Sequence, residues 1–351
     1  MTPATLEELA AAVRAHPRVL PVGAGTKARL ATAAPGFTPL STRALRGIVE
    51  YEPDEFTFTA RAGTPVAELA AVLGERGQYL PFDPPLAAAG ATLGGTVAAG
   101  LSGPGRWRFG GVRDFILGAR FVDGEGRVLR VGGKVVKNAA GFDLPKFFVG
   151  SAGCYGVLAE LTFKVFPRPA ATRTLRLTAR DAADQVRLLQ ACAGGRWELD
   201  ALEAAVDEPA VLVRIGAAEA ALGPLVADLL ARFPGRELAS EEAADLWTAV
   251  AGFSWAHPGG ALAKVILTSG EVPAFVAWVR AQEGARGWIG AGGNAGYLSL
   301  PPGIAPAVSP WPGVLLRGSG PRWLGPRRSA AVMTAVKRAL DPAGRFPELE
   351  D

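Results

Sequence analysis

The amino-acid sequence predicts an α+β protein with two domains, residues 1–170 and 171–351. At 351 residues, 49% of them hydrophobic, the chain is long enough to bury two separate cores. In the second half, a strand–helix–strand–strand order occurs twice, which is typical of an antiparallel sheet backed by helices. The first half combines short strands with glycine-rich loops at three separate places, and Pro167 and Pro169 close it.

Composition and charge argue against several classes of protein. The formal net charge is +4 without a block of Lys or Arg, so we expect no nucleic-acid partner. No apolar run is long enough to span a membrane and Met1–Glu8 does not resemble a signal peptide, so we expect a cytoplasmic protein. The two cysteines, Cys154 and Cys192, form no C-x-x-C pair. We therefore expect no metal site, and any iron–sulfur cluster in the system must belong to another chain.

The loop Gly23–Lys27 is the first chemical signal along the chain. A capping box at Thr5–Glu8 predicts a helix that ends at His16–Pro17, and Arg18–Val22 then predicts a short buried strand. A strand followed by Gly-x-Gly is how phosphate-binding loops begin, with successive amides forming an anion nest and Lys27 adding a charge. A glycine pair of this kind is also compatible with a simple tight turn.

Two other nucleotide-binding motifs compete for this loop. Gly23, Gly25 and Ala28 formally fit the Rossmann fingerprint, which needs a helix directly after the glycines. The segment 30–36 leaves little room for such a helix. A Walker loop would need Gly-Lys-Ser/Thr, which the sequence lacks. The pattern therefore favours neither motif.

The small-residue stretch Ala91–Gly100 is the second signal. A rigid turn at Asp83–Pro85 leads into it, and Thr92 is a suitable N-cap for a short helix that ends at Gly100. A helix start with free amides and flanking glycines suits a pyrophosphate. The alternative interpretation is close packing of a small-residue helix against a sheet, which this stretch taken alone favours.

The next glycine-rich run, 101–111, predicts a loop without regular structure, in which Arg106, Trp107 and Arg108 either cover a ligand or are simply exposed. The remaining elements of the first domain follow from alternation and turn signals. They are strands at 48–51, 56–62, 115–122, 127–131 and 157–166, a polar loop at 137–143 and a glycine loop at 150–156. Two helices are also predicted, one with Thr64 as its N-cap and Pro65 as its first residue and one at 144–149. The second domain predicts strands at 174–178, 199–206, 211–215, 262–268, 288–291 and 297–300, and helices at 181–193, 219–233 and 272–283.

Several of these motifs together resemble the FAD-binding domain of the vanillyl-alcohol-oxidase (p-cresol methylhydroxylase) flavoprotein superfamily. The resemblance lies in their order and spacing: Asp83–Pro85, Thr92–Ala98, Val112–Leu129, Gly153–Leu158 and Lys164–Pro167. Within the superfamily, Leu101–Pro104, Val135–Asp143 and Asp341–Phe346 look most like the E subunits of bacterial glycolate oxidases. The resemblance is dense over residues 1–170 and thins in the second domain to the C-terminal helix and the Asp341 motif.

This resemblance implies roles for three groups of residues. Backbone amides of Gly23, Ala24, Gly25, Thr26 and Lys27 would bind the FAD pyrophosphate. Pro84, Thr92, Gly94, Gly95 and Ala98 would line the ribityl and phosphate region, and Gly153, Gly156 and Val157 would lie near the adenine and ribose. Some relatives carry a histidine in the first loop, to which flavin is covalently attached. This loop has none, so we predict non-covalent FAD. The sequence also departs from the family after Asp341, because Phe346-Pro-Glu replaces the usual Asn-Pro-Gly.

Catalytic residues are harder to predict. Oxidation of a 2-hydroxy acid needs a base, a cation for the carboxylate and the flavin as hydride acceptor. The candidates are His257, although an ordinary loop histidine is an equally simple interpretation, and Arg317, which is also compatible with a surface arginine. His16 follows the first helix and is better explained by the helix dipole.

The resemblance implies a complex in which a second FAD subunit and an iron–sulfur subunit share the reaction. We consider three hypotheses: a subunit that oxidises glycolate to glyoxylate and passes electrons to the iron–sulfur partner, a self-sufficient FAD-dependent 2-hydroxy-acid dehydrogenase of the D-lactate type, and a non-catalytic structural subunit. Such a complex would be cytoplasmic, with contact to the inner membrane through partners.

Overall fold

The computed structural model describes residues 1–32, 35–134, 143–326 and 330–349. Its helices are α1 (Leu6–Ala15), α2 (Val66–Gly74), α3 (Leu93–Ala99), α4 (Arg106–Phe109), α5 (Val112–Phe115), α6 (Ala182–Ala193), α7 (Glu219–Arg232), α8 (Ser240–Gly252), α9 (Val272–Arg280) and α10 (Ala330–Leu340). Its strands are β1 (Val19–Val22), β2 (Thr38–Ser41), β3 (Ile48–Glu52), β4 (Thr57–Arg61), β5 (Gln78–Tyr79), β6 (Ile116–Val122), β7 (Val128–Gly132), β8 (Val157–Lys164), β9 (Phe166–Pro167), β10 (Ala171–Thr178), β11 (Ala201–Ala205), β12 (Ala210–Ala217), β13 (Gly235–Glu237), β14 (Ala261–Ile266), β15 (Arg286–Gly290), β16 (Ala295–Leu300), β17 (Gly313–Arg317) and β18 (Trp323–Leu324).

The chain forms two compact units that are not continuous in sequence. The first contains residues 1–102, 111–167 and α10 with the residues that follow it, and the second contains 103–110 and 168–326. The sequence-based division into 1–170 and 171–351 is simpler, because it keeps each domain in one stretch. The α+β fold class is confirmed.

The first unit is built on a five-stranded antiparallel sheet in the order β3-β4-β8-β6-β7, beside a parallel pair formed by β1 and β2. The predicted hairpin β6–β7 is present, and Asp123 explains its turn: the buried carboxylate accepts hydrogen bonds from the amides of Glu125 at 3.0 Å and Arg127 at 2.9 Å. The core under α1 contains Leu9, Val13, Val19, Leu40, Val157 and, from the C-terminal segment, Phe346.

Asp341 organises that C-terminal segment from within. Its buried carboxylate accepts hydrogen bonds from Lys337 Nζ at 2.6 Å and from the amides of Arg345 and Phe346, each at 2.9 Å. Lys337 also donates to the carbonyl of Phe346 at 2.9 Å. A buried ion pair that is satisfied in this way fixes one geometry. The Asp341–Phe346 motif therefore orients the chain after α10.

In the described residues, the second unit contains a nine-stranded sheet with the strand order β13-β10-β12-β11-β15-β16-β14-β17-β18. All of its strand pairs are antiparallel, as the sequence predicts. Helices α6, α7 and α9 contribute Leu189, Leu229 and Phe275 to its core. The helix α8 and the strands β13, β17 and β18 were absent from the sequence-based assignment.

Two local predictions are wrong. The run 101–111 is not irregular throughout, because α4 lies in it. The N-cap of α2 is Pro65 and not Thr64; the buried Thr64 hydroxyl instead donates to the carbonyl of Arg61 at 2.7 Å. Tertiary contacts override the local signal at both places.

Candidate cofactor-binding site

A cleft in the first unit is bounded by the loop after β1, by α3 and by the start of β8. It contains about 690 Å³ of space outside protein atoms, open solvent included, a size in the range of ligand-binding clefts. Its lining residues are mostly small or aliphatic: Pro21, Val22, Gly23, Ala24, Gly25, Thr26, Lys27, Leu30, Ala31, Thr42, Ala62, Thr92, Gly94, Gly95, Ala98, Ala99, Ser151, Ala152, Gly153, Gly156, Val157 and Leu158.

The structure brings together all of the residues predicted to bind the cofactor, with the exception of Pro84. That proline is half-buried and does not line the cleft. Most of the polar loop predicted at 137–143 lies outside the described residues, so only Asp143 can be located, and it is exposed. The remaining predicted residues come from three distant stretches of sequence and line the same cleft.

The loop Gly23–Lys27 leaves its backbone donors available. Within the described part of the chain, the amides of Ala24, Gly25, Thr26 and Lys27 donate to no protein acceptor. Gly25 has φ +71°, a left-handed conformation that glycine adopts without strain, and a Cβ there would meet nothing within 4 Å. Buried or partly buried amides normally have partners, so a run of free ones beside a cleft indicates an anion site.

Lys27 adds a buried positive charge to this loop. Its side chain is 6% exposed, its ammonium group donates to Thr26 Oγ1 at 3.2 Å, and it forms no ion pair with a carboxylate of the described residues. Burial lowers the pKa of Lys27 to about 8, because desolvation disfavours the charged form. A bound anion would remove that penalty.

The first turn of α3 behaves differently from the loop. The amides of Leu93 and Gly94 donate to the carbonyls of Thr64 at 2.9 Å and Ala62 at 2.8 Å, and the amide of Gly95 donates to Thr92 Oγ1 at 3.2 Å. Thr92 is therefore the predicted N-cap, but the expectation of free amides at this helix start is wrong. Close packing is the better interpretation, since a Cβ on Gly94 would lie 2.8 Å from Ala62 Cβ.

The third wall is the loop before β8, which is fastened to α3. The amides of Gly150 and Ala152 donate to the carbonyls of Val97 at 2.9 Å and Ala98 at 2.8 Å. These bonds fix Gly153 next to Pro21, since a Cβ on Gly153 would lie 3.2 Å from Pro21 Cδ. The three walls thus form one preformed cleft.

The residues present fit a dinucleotide with a diphosphate. Four free amides and Lys27 offer hydrogen-bond donors for an anion in one loop. The apolar part of the cleft is formed by Val22, Leu30, Val157 and Leu158. A diphosphate between two apolar ends has this same division of chemistry. Among the described residues that line the cleft there is no histidine, cysteine or tyrosine to which a flavin could be attached.

Comparison with known proteins identifies the ligand. Residues 1–132 match the profile of the FAD binding domain family. The amino-terminal part of the chain is similar to the FAD-binding domains of that family, and FAD is the cofactor that the match indicates. The amides of Ala24–Lys27 and the Lys27 ammonium group are thus the groups of this domain that suit the FAD diphosphate.

Curated relatives of the chain are oxidoreductases by name. It is 43% identical over 201 residues to glycolate oxidase subunit GlcE of Escherichia coli (strain K12), covering 57% of this chain and 55% of that protein. It is 30% identical over 158 residues to glycolate oxidase subunit GlcD of Bacillus subtilis (strain 168), covering 45% and 33% respectively. The chain spans about half or less of the length of these two relatives. The predicted resemblance to the E subunits is confirmed.

Solved structures agree on the fold. A structure of alkyldihydroxyacetonephosphate synthase superposes with a TM-score of 0.66 over 98% of this chain and 74% of that one, at 14% identity. At that identity the match shows the fold alone, and it extends through both units. The predicted fold, an FAD-binding domain of the vanillyl-alcohol-oxidase type followed by an α+β domain with an antiparallel sheet, is confirmed.

The two catalytic candidates lie close to each other in the second unit, and the side chains of both are hydrogen-bonded to main-chain carbonyls. The His257 ring nitrogen Nε2 lies 2.7 Å from the carbonyl of Gly284. Arg317 donates from Nε to the carbonyl of Gly260 and from Nη2 to that of His257, each at 2.7 Å. This arrangement stabilises the turn before β14 and gives neither residue a visible catalytic role.

Sequence reasoning missed a buried group of ionisable residues in the second unit. Glu203, Lys264 and Tyr297 are 3%, 8% and 6% exposed; Lys264 and Tyr297 lie on the neighbouring strands β14 and β16, and Glu203 lies on β11, which β15 separates from β16. The available signal was a lysine within the apolar run Ala261–Ile266, which alternation alone assigns to a solvent face. Separately, in the described residues no helix has the length and apolarity needed to cross a membrane.

Proposed function

We propose that this chain is the FAD-binding subunit of a glycolate oxidase, a 2-hydroxy-acid dehydrogenase complex that oxidises glycolate to glyoxylate and passes electrons to an iron–sulfur partner subunit. The observation that carries the proposal is the cleft with free amides at Ala24–Lys27 beside the buried Lys27, in a chain similar to a glycolate oxidase subunit. FAD supplies the hydride acceptor when it is bound.

The partners in this proposal are a second FAD subunit and the iron–sulfur subunit. Two relatives are named as different subunits of glycolate oxidase, GlcE and GlcD, which supports an assembly of more than one chain. The sequence has only Cys154 and Cys192, so a cluster held by cysteines would be on another chain. The proposal places the complex in the cytoplasm, with the partners making any contact with the inner membrane.

Each part of the cleft has a task in this function. The amides of Ala24–Lys27 bind the diphosphate, and the ammonium group of Lys27 neutralises part of its charge. The wall formed by Gly153–Leu158 packs against the nucleotide end. Because no histidine, cysteine or tyrosine of the described residues lines the cleft, we propose that FAD is held without a covalent bond.

A self-sufficient dehydrogenase is the second candidate. The chain is 27% identical over 288 residues to a D-2-hydroxyglutarate dehydrogenase of Xanthomonas citri pv. viticola (strain LMG 965 / NCPPB 2475 / ICMP 3867 / CFBP 7660), an alignment that covers 80% of this chain and 59% of the relative. That alignment reaches into the second unit, which is the observation that favours independent catalysis. A non-catalytic structural subunit is the third candidate, and the intact cleft argues against it.

The test is the visible absorption spectrum of the purified chain, recorded before and after acid precipitation and after anaerobic addition of glycolate. We expect a flavin spectrum and release of FAD into the supernatant. Dithionite added to a parallel sample shows that the flavin can be reduced. A chain that remains colourless with excess FAD would overturn the proposal.

The response to glycolate separates the candidates. Bleaching by glycolate in the isolated chain, followed by turnover with an artificial acceptor, indicates a self-sufficient dehydrogenase. Bleaching only when the second FAD subunit and the iron–sulfur subunit are added supports the complex. The structural role is supported by two results together. The flavin of this chain remains oxidised in the full assembly, and the assembly keeps its activity when this chain carries no FAD.

A further inference from the structure

The C-terminal segment Asp341–Leu349 carries a sequence motif that has no part in the proposed function. It contains the run Asp-Pro-Ala-Gly-Arg-Phe, and Phe346-Pro-Glu stands where the family usually has Asn-Pro-Gly. The segment belongs to the first unit, together with the cofactor cleft, although the two are far apart in sequence. We call Asp341–Leu349 the C-terminal strap.

A buried ion pair fixes the conformation of the strap. The side chains of Lys337 and Asp341 are 7% and 0% exposed, and their charged groups lie 2.6 Å apart. Asp341 also accepts hydrogen bonds from the amides of Arg345 and Phe346, each at 2.9 Å, and Lys337 Nζ donates to the Phe346 carbonyl at 2.9 Å. These contacts are internal to the C-terminal segment, so they set its shape and leave other groups of the strap to contact the rest of the unit.

The strap contacts the strand that leads into the anion loop. The amide of Val19, the first residue of β1, donates to the carbonyl of Arg345 at 2.7 Å. Arg345 Nη1 donates to the carbonyl of His16 at 2.6 Å, shortly before β1. Because β1 has four residues and Gly23 follows it directly, these bonds fix the direction in which the chain enters the loop Gly23–Lys27.

The strap also contacts the loop before β8, which forms the third wall of the cleft. Cys154 lies in that loop, and its Sγ donates to the carbonyl of Glu348 at 3.5 Å. Phe346 belongs to the same buried cluster as Val157, the first residue of β8, and Val157 itself lines the cleft. The strap therefore supports two of the three walls.

The strap acts on the cleft only through these walls. Among the described residues that line the cleft, none belongs to the strap. The remaining wall, α3, is held by the carbonyls of Ala62 and Thr64. If the strap left its place, the loop Gly23–Lys27 and the loop before β8 would lose a common support while α3 kept its own.

We propose that Asp341 is a positioning residue for FAD: by holding the strap in place, it sets the spacing between the anion loop and the loop before β8. This inference rests on the proposed function in one respect, that FAD is the ligand of the cleft. Removal of one partner from a buried ion pair leaves the other charge uncompensated, so a single substitution can shift the strap from docked to undocked. A cleft that is correctly formed in only a fraction of the molecules binds its ligand more weakly by that fraction.

The first test is fluorescence titration of the FAD-free full chain with FAD. We expect Asp341→Asn to raise the Kd by about tenfold or more, because it leaves the charge of Lys337 buried without a carboxylate. Leu73→Ala is the matched control. Leu73 is 1% exposed in α2, a helix that contributes no described residue to the cleft, so this variant should lose stability and keep the wild-type Kd.

The second test needs no substitution, so it also covers the case in which Asp341→Asn does not fold. Coupling between two sites is reciprocal, so bound FAD must stabilise the docked strap by the factor by which the strap stabilises bound FAD. In hydrogen exchange followed by mass spectrometry, saturating FAD should slow exchange in the peptide with the amides of Arg345 and Phe346 by about tenfold or more. The end of α2 is the reference: the amides of Glu75 and Arg76 bond to carbonyls of their own helix, and their exchange should not change.

The outcomes separate this inference from the proposed function. A folded Asp341→Asn variant with the wild-type Kd for FAD overturns the inference and leaves the function standing, and so does a strap whose exchange FAD does not change. An equal rise of the Kd in Leu73→Ala would show a general effect of lost stability and would also overturn the inference. Neither measurement uses glycolate, so a flavin that glycolate never reduces in the full assembly would contradict the proposed function alone.

Discussion

The loop Gly23–Lys27 and the first turn of α3 are both rich in glycine, and both border the same cleft. In the loop, the amides of Ala24 to Lys27 have no acceptor among the described residues. In α3, the amides of Leu93, Gly94 and Gly95 are all taken, by two carbonyls of the preceding strand–turn region and by Thr92 Oγ1. Two glycine-rich segments side by side thus have opposite uses for their backbone.

The difference shows what glycine contributes in each place. Gly94 lets α3 approach Ala62 closely, so its role is to permit packing. Gly25 lets the loop take a left-handed turn with open space beside it, so its role is to present amides. The donors that remain free, more than the glycine count, locate the anion site.

The largest expected effect is on stability, at Gly94. Gly94→Ala would place a Cβ 2.8 Å from Ala62 Cβ and 3.0 Å from the Ala62 carbonyl, so we expect a loss of about 2–3 kcal/mol in the free energy of unfolding. Urea denaturation of the protein without FAD measures it.

Gly223→Ala is the matched control, since Gly223 lies within α7 and a Cβ there meets nothing within 4 Å. That change should alter the stability by less than about 1 kcal/mol, because the better helix propensity of alanine is opposed by Pro224, which disfavours a Cβ on the residue before it. An equal change in the free energy of unfolding in the two variants would contradict the packing role of Gly94. It would also remove the difference proposed between α3 and the loop.

The next effect is on FAD affinity, at Lys27. Lys27→Met should weaken FAD binding by about 10- to 100-fold, because it removes a charge-assisted contact to the diphosphate. The same substitution should raise the melting temperature of the FAD-free chain, since it removes a buried, unpaired charge. Fluorescence titration with FAD and a thermal melt measure the two quantities. A variant that loses stability and keeps FAD affinity would show that Lys27 is structural.

The sign of the pH dependence follows from the same residue. Burial lowers the pKa of Lys27 in the folded chain from 10.5 to about 8, so burial of its charge costs stability most at pH below 8, and the cost fades as the pH rises toward 10.5. The stabilisation by Lys27→Met should accordingly be largest near pH 7. FAD binding needs the charged form, so affinity should fall above about pH 8, and Lys27→Arg should abolish that fall.

The two glycine segments also show how far sequence reasoning reaches. The Thr92 cap and the end of α3 at Gly100 could be predicted because both signals are local. The acceptors for the α3 amides could not, since the carbonyls of Ala62 and Thr64 lie about thirty residues earlier and only the fold brings them there. The hairpin β6–β7 was predictable for the local reason, because Asp123 bonds within its own turn.

Helix α4 and the burial of Lys264 could not be predicted, because both depend on contacts that are distant in sequence. Nothing within 101–111 favours a helix; the contacts of Trp107 with Gly292 and of Arg108 with Asp200 stabilise it, over sequence separations that no local pattern encodes. Lys264 looks like the solvent-facing member of an alternating strand, yet it is buried in the folded unit. Family resemblance identified the cofactor loops because their motifs are continuous in sequence. It did not identify Glu203, Lys264 and Tyr297, which lie on separate strands.

The smallest effect expected is at Thr92, where the loop and the helix meet. Thr92 Oγ1 caps Gly95 at 3.2 Å and also lies 2.5 Å from where a Cβ on Gly23 would stand, so one side chain supports both segments. Thr92→Ala should cost about 1 kcal/mol of stability through the lost cap, and Thr92→Ser, which keeps the hydroxyl, should cost much less. FAD affinity should change little in either variant, because the amides of Ala24–Lys27 do not use Thr92 as an acceptor. Should Thr92→Ala instead lower FAD affinity as much as Lys27→Met does, the helix start and the loop would act as one anion site, and the contrast between them would have to be abandoned.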